Sequence, residues 1–235
     1  MSGGENTAPK TESKYPWSNY TLKLGSGEPV STTRYVLYAI QIVAIVFLSW
    51  LSVAVIPGSY AGISFFYFVY PFLLVFSMWW GIWGMLGAYL GCAIGAGILV
   101  PGTGPLSTCL LYAISDFIPP FVAFLVYRGF LAQRGYDPMW RDLTDKEVAG
   151  VKTNRAGAWI WFVLINVVLL NVVSGFVGVG ILWKMGSVAT NAFWIGIAGW
   201  FLGDAVAMII ITPILVKGLT SLVERQGLMN HGWVT

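Results

Sequence analysis

The sequence predicts an all-α integral membrane bundle of about six transmembrane helices with both termini in the cytoplasm. Three observations carry that expectation. Hydrophobic residues make up 57% of the 235 and charged residues only 10%, against roughly 25% charged in an ordinary soluble domain. The apolar residues gather into six windows, each close to the ~20 residues that cross a bilayer. The basic residues fall almost wholly on one side of those windows, which orients the chain.

Residues 1–34 are polar and rich in Gly, Ser and Pro, without the basic and then apolar pattern of a secretory signal. They read as a cytoplasmic tail. The membrane domain, 35–218, holds the windows Tyr35–Ile56, Ile63–Met78, Trp80–Val100, Leu106–Tyr127, Ala158–Trp183 and Phe193–Val216. The second and third nearly merge through Phe76–Gly84, and merging them leaves five spans.

Charge decides between five and six. Lys10, Lys14, Lys23 and Arg34 precede the first window, and Lys217 and Arg225 follow the sixth. Arg128, Arg134, Arg141, Lys146, Lys152 and Arg155 separate the fourth from the fifth. Six spans put all of these on one side and leave only Lys184 on the other. Five spans split the basic loops. The N-terminus, the 128–156 loop and the 219–235 tail are therefore expected in the cytoplasm. Within the loop, Thr144–Glu147 has capping-box spacing, which suits a short amphipathic helix on the membrane surface, and the loop as a whole reads more readily as a solvated connector than as a partner-docking site.

Several function classes fall away. A net charge of +3 reflects orientation rather than nucleic-acid binding. Cys92 and Cys109 lie in apolar windows, where a free thiol behaves as a small hydrophobe. The one histidine, His231, sits in the C-terminal tail, so no His-based metal site or triad can form within the membrane. Neither a phosphate-binding Gly-rich loop nor a Gly-x-Ser-x-Gly elbow is present. The expectation is a protein without enzymatic activity, cofactor or metal.

Two acids stand inside the windows: Asp116, beside Ser115 in the fourth, and Asp204 in the sixth. Each costs about 2.5–3.5 kcal/mol near the centre of a membrane helix, so the bundle must offset roughly 5–7 kcal/mol. They read either as a ligand, cation or proton site, or as interhelical hydrogen-bond anchors. Pro119 and Pro120 follow Asp116, Pro213 follows Asp204, and Pro71 interrupts the second window. Each proline frees a carbonyl that a neighbour or a cavity must answer. Asn166, Asn171 and Ser174 in the fifth window can donate to an acid or a ligand. Phe65–Phe68, next to Ser64, can line a cavity mouth, whereas Trp79, Trp80, Trp83, Trp159 and Trp161 suit interface belts. Gly84, Gly87, Gly91 and Gly95 make a smooth face for close helix packing, internal or with a partner.

The run Trp200-Phe-Leu-Gly-Asp204-Ala-Val, continuing to Thr212-Pro213-Ile-Leu215, resembles the closing helix of prokaryotic membrane-associated sensor domains of the first class. Ala113–Asp116, continuing to Phe124–Arg128, is similar to that family's middle helix, and Pro71–Gly91 to its opening. Those proteins usually have about eight spans fused to an output domain. A freestanding chain of six spans looks instead like the substrate-binding component of an energy-coupling factor transporter. Both resemblances imply a prokaryotic plasma-membrane protein with a six-helix core that captures a small solute.

The leading expectation is a module that binds a small solute between the fourth, fifth and sixth helices for uptake with partner subunits. Asp116 and Asp204 would orient a polar or cationic group, with Asn166, Asn171 and Ser115 adding hydrogen bonds. The alternatives are a sensory or accessory subunit that signals to a separate partner, and a structural subunit of a larger membrane complex.

Overall fold

Ser31 opens the first helix, its hydroxyl accepting a hydrogen bond from the Arg34 N–H, and α1 runs Thr32–Ala54. The computed structural model describes residues 22, 30–56, 63–137, 139, 147–148, 151–152, 154–230 and 232–234. Beyond α1 the helices are α2 (Tyr70–Trp80), α3 (Ile82–Ile98), α4 (Leu106–Leu131), α5 (Arg155–Lys184) and α6 (Thr190–Arg225). Three stretches are wound as π-helix: Gly91–Ile98 in α3, Tyr127–Leu131 in α4 and Val163–Leu170 in α5. Most of the N-terminal tail and all of the 57–62 linker lie outside the described residues, as do Thr144 and His231.

Four helices, α1, α4, α5 and α6, are long and apolar enough to cross a membrane. That is the pattern of a multi-pass membrane protein. Large apolar side chains also point outward, among them Val43, Trp194 and Ile214, each more than 60% exposed. Lipid would cover such a surface; water would not.

The second element differs from expectation. Its helix starts at Tyr70 rather than Ile63, and Pro71 sits in its first turn, where a missing N–H goes unneeded. With 11 residues it rises only about 16 Å, half of a hydrocarbon core of about 30 Å. Residues 63–69 ahead of it are irregular yet buried at Ile63, Ser64, Tyr67 and Val69. A groove of glycines on α6 holds them. A Cβ on Gly203 would stand 2.6 Å from the Ser64 carbonyl oxygen, one on Gly199 would overlap the Phe65 ring, and one on Gly196 would press Ile63.

Two further glycine rows set the packing. Gly87 meets the Gln41 side chain, Gly91 meets Ile45 and Gly95 meets the Val46 carbonyl, so α3 lies parallel to α1 at backbone distance. Gly84 meets the Phe76 backbone of α2. On α5, Gly175 and Gly178 form a notch that receives the Trp200 indole of α6. Pro119 cannot bond back to Ser115, and the orphaned Ser115 carbonyl accepts instead from the Ser174 hydroxyl of α5 at 3.0 Å.

In the 128–156 loop the expected surface helix is not what forms around Glu147. Strand β1 (Glu147–Val148) pairs antiparallel with β2 (Val151–Lys152). Valines flanking Ala149-Gly150 suit a two-residue hairpin better than a helix.

The chain between α2 and α3 breaks at a single residue, Gly81, with φ of 57°. That break orphans the last carbonyls of α2 and the first N–H of α3. The C-terminal segment answers them. Asn230 donates from its N–H to the Trp79 carbonyl (2.8 Å) and from Nδ2 to the Trp80 carbonyl (2.9 Å). The Ile82 N–H donates to the Trp233 carbonyl at 2.9 Å. Arg128, 2% exposed, donates to the carbonyls of Met78 (3.1 Å), Asn230 (2.9 Å) and Gly232 (3.1 Å), with its guanidinium over the Phe124 ring. Tyr38 donates to Asn230 Oδ1 at 2.7 Å, and the Trp233 ring packs on Phe121 and Phe124.

Candidate functional site

The site grows from the α6 glycine groove. By seating Ser64 and Phe65 against Gly203, the groove brings the irregular 63–69 segment next to Asp204, the following residue of α6. Tyr67 of that segment reaches α4, where its hydroxyl donates to Asp116 Oδ2 at 2.9 Å. The Tyr67 oxygen also stands 3.2 Å from Ser49 Oγ of α1, which can donate in return. Ser64 is pinned in turn, its hydroxyl donating to the Ser52 carbonyl at 2.7 Å and accepting from the Phe66 N–H at 3.2 Å.

Between these groups lies a cavity of about 10 Å³ lined by Ser64, Tyr67, Tyr112, Asp116, Trp200 and Asp204. That is room for about one water-sized particle. Trp200 forms one wall, fixed by the α5 notch and by an edge-to-face contact with Tyr112 at 6.0 Å.

Both carboxyl groups are 1% exposed. Asp116 Oδ1, Asp204 Oδ2 and Trp200 Nε1 have no hydrogen bond of ordinary geometry, with the Cys92 thiol beside Asp116 and the Trp200 indole beside Asp204 as the nearest donors to those two oxygens. Leaving a buried carboxylate oxygen unanswered is expensive, more so in hydrocarbon than in a soluble core. Among the described residues no Lys, Arg or His lines the cavity. Its oxygens, two carboxylates and three hydroxyls, are a hard donor set of the kind that takes a cation or a proton. No group of three or more His, Cys, Asp or Glu suited to a metal ion occurs among the described residues.

Of the residues singled out from sequence, Asp116 and Asp204 meet in this cavity. The others stand outside its lining. Ser115 donates to the Tyr112 carbonyl at 2.6 Å, Asn166 to the Tyr127 hydroxyl at 2.8 Å, and Asn171 to the Phe201 carbonyl at 2.9 Å. All three are buried and bridge turns or helices around the site. The cavity therefore lies between α4, α6 and the 63–69 segment, and no described residue of α5 lines it. Gly84, Gly87, Gly91 and Gly95 face α2 and α1.

Sequence reasoning reached Ser64 and Tyr67 only as a cavity mouth and missed Tyr112 and Trp200. The signal available for Trp200 was the spacing Gly196, Gly199, Gly203, a second small-residue row directly before an acid. No protein-family model, curated protein or solved structure matches this chain.

Proposed function

We propose that this chain is a membrane module that binds a small monovalent cation between Asp116 and Asp204 and serves uptake together with partner subunits. It crosses the bilayer six times with both termini in the cytoplasm. The second crossing is discontinuous, irregular over 63–69 and helical over α2. A broken helix at membrane depth is tolerated where its backbone lines a cavity, and such breaks are where transporters hold ions.

One observation carries this reading. Two buried carboxylates on different helices face a one-particle cavity with an oxygen of each unanswered, and no basic side chain among the described residues lines it. Na⁺, ammonium or a proton fits both the volume and the donor set, and any of them offsets the cost of two acids in hydrocarbon. Both family resemblances, each to a bundle that captures a small solute, point the same way.

The test is binding of Na⁺, Li⁺ and ammonium by the purified protein, read by calorimetry. Asp116→Asn and Asp204→Asn should each weaken binding at least about tenfold, on the scale of one lost charged contact, and leave the protein folded. Lowering the pH should weaken binding as protons compete for the same oxygens. Unchanged binding in both variants sinks the proposal. A structural subunit is the second reading, favoured by the Tyr67–Asp116 hydrogen bond. It predicts that no cation binds and that both Asn variants lower stability.

A further inference from the structure

A second cavity, of about 170 Å³, shares no lining residue with the first and is lined by Arg155, Trp159, Pro213 and Lys217. It sits between the start of α5 and the last third of α6. These two helices form an antiparallel hairpin turned at Met185–Ala189, and each contributes a cation and an apolar residue spaced i, i+4, so the pair shares one helix face.

The order of those pairs carries the argument. On α5, Arg155 is the first residue and Trp159 lies one turn further into the bundle. On α6, which runs the opposite way, Pro213 comes first and Lys217 lies one turn nearer the helix end. Both helices thus place the cation outward and the apolar side chain inward, by about 6 Å in each case. The cavity is layered, positive at its rim and apolar beneath. Its described lining holds no carboxylate. The N-terminus of α5 adds the positive end of the helix dipole, with Asn154 capping only the Gly157 N–H.

We infer that this cavity is a binding site for the phosphate group of an anionic phospholipid from the leaflet at the Arg155 and Lys217 end. Arg155 and Lys217 hold the phosphate at headgroup depth, while Trp159 and Pro213 pack against the glycerol and the first acyl carbons. A soluble phosphate ester shares the phosphate chemistry but has nothing to lay on the inner apolar layer, and that layer favours the lipid.

The full chain, purified in mild detergent and exchanged into mixed phosphatidylglycerol and phosphatidylcholine, tests this by native mass spectrometry of the lipid it retains. Phosphatidylglycerol should be kept in preference to phosphatidylcholine, and the preference should shrink as salt rises. Arg155→Gln and Lys217→Gln should each weaken retention about fivefold, and the double variant about 25-fold. Arg225→Gln, whose side chain bonds to Ser221 outside the cavity, should retain the lipid as the parent does. Equal retention of both lipids by the parent protein overturns the inference and needs no variant that could misfold. So does a folded double variant that keeps its phosphatidylglycerol. Protection by inorganic phosphate without any lipid preference overturns the lipid source and assigns the two cations to a soluble phosphate.

Discussion

The Gly81 end and the Asp116–Asp204 cavity are both buried polar clusters at a break in a helix, yet they are finished differently. At the Gly81 end the carbonyls of Met78, Trp79 and Trp80 and the N–H of Ile82 all find partners on Arg128 or the C-terminal segment. In the cavity, Tyr67 answers one oxygen of Asp116, while Asp116 Oδ1 and Asp204 Oδ2 have only the Cys92 thiol and the Trp200 indole beside the acids and no close hydrogen bond. A break whose backbone groups are all answered fixes one conformation, whereas two buried acids, each with an oxygen lacking a close donor, are offset by a bound cation or a proton. The first cluster is therefore read as architecture and the second as chemistry.

The comparison breaks most visibly at the Gly81 end. Deleting 228–235 strips the partners from the α2 and α3 termini at once, and the expected result is loss of a monodisperse, folded protein on size exclusion in detergent. Arg128→Met removes a charged donor from three carbonyls and should cost at least about 3 kcal/mol in thermal unfolding. Gly81→Ala comes next. The residue has φ of 57° and a Cβ there would strike the Trp233 carbonyl, so a loss of about 2 kcal/mol is expected from backbone strain and a displaced tail. If Gly81→Ala is neutral, the C-terminal segment does not close the break as described.

How far the sequence foretold each cluster follows from what the signals measure. Hydropathy located the long helices because lipid exposure demands apolar outer faces. It failed at 63–69, Ile-Ser-Phe-Phe-Tyr-Phe-Val, because apolar content reports burial and says nothing about whether the backbone is helical. The acids were legible since an Asp in hydrocarbon needs a reason. Tyr67, Tyr112 and Trp200 were not, because in a chain with 16% aromatic residues one more ring carries little information. Asn230 and Arg128 were least legible of all. Arg128 counted only as a topology charge, and Asn230 lay in a short polar tail whose docking depends on a break 150 residues away.

The smallest effect sharpens the comparison most. Tyr67→Phe removes one hydroxyl from the cavity, while Asn230→Ala removes the side-chain bonds to Tyr38, Trp80 and Val234 at the other end. Asn230→Ala should cost about 2 kcal/mol, since it leaves buried groups unanswered at a break whose backbone carbonyls are otherwise satisfied. Tyr67→Phe should cost no more than about 1 kcal/mol, the range for one hydrogen bond between membrane helices. Its main effect should fall on cation affinity, because the hydroxyl that orients Asp116 is gone while both carboxylates remain. Calorimetry on both variants, with and without Na⁺, reads the two quantities separately. A stability loss in Tyr67→Phe as large as in Asn230→Ala, with cation binding untouched, would make the cavity a second piece of architecture and remove the distinction between the two regions.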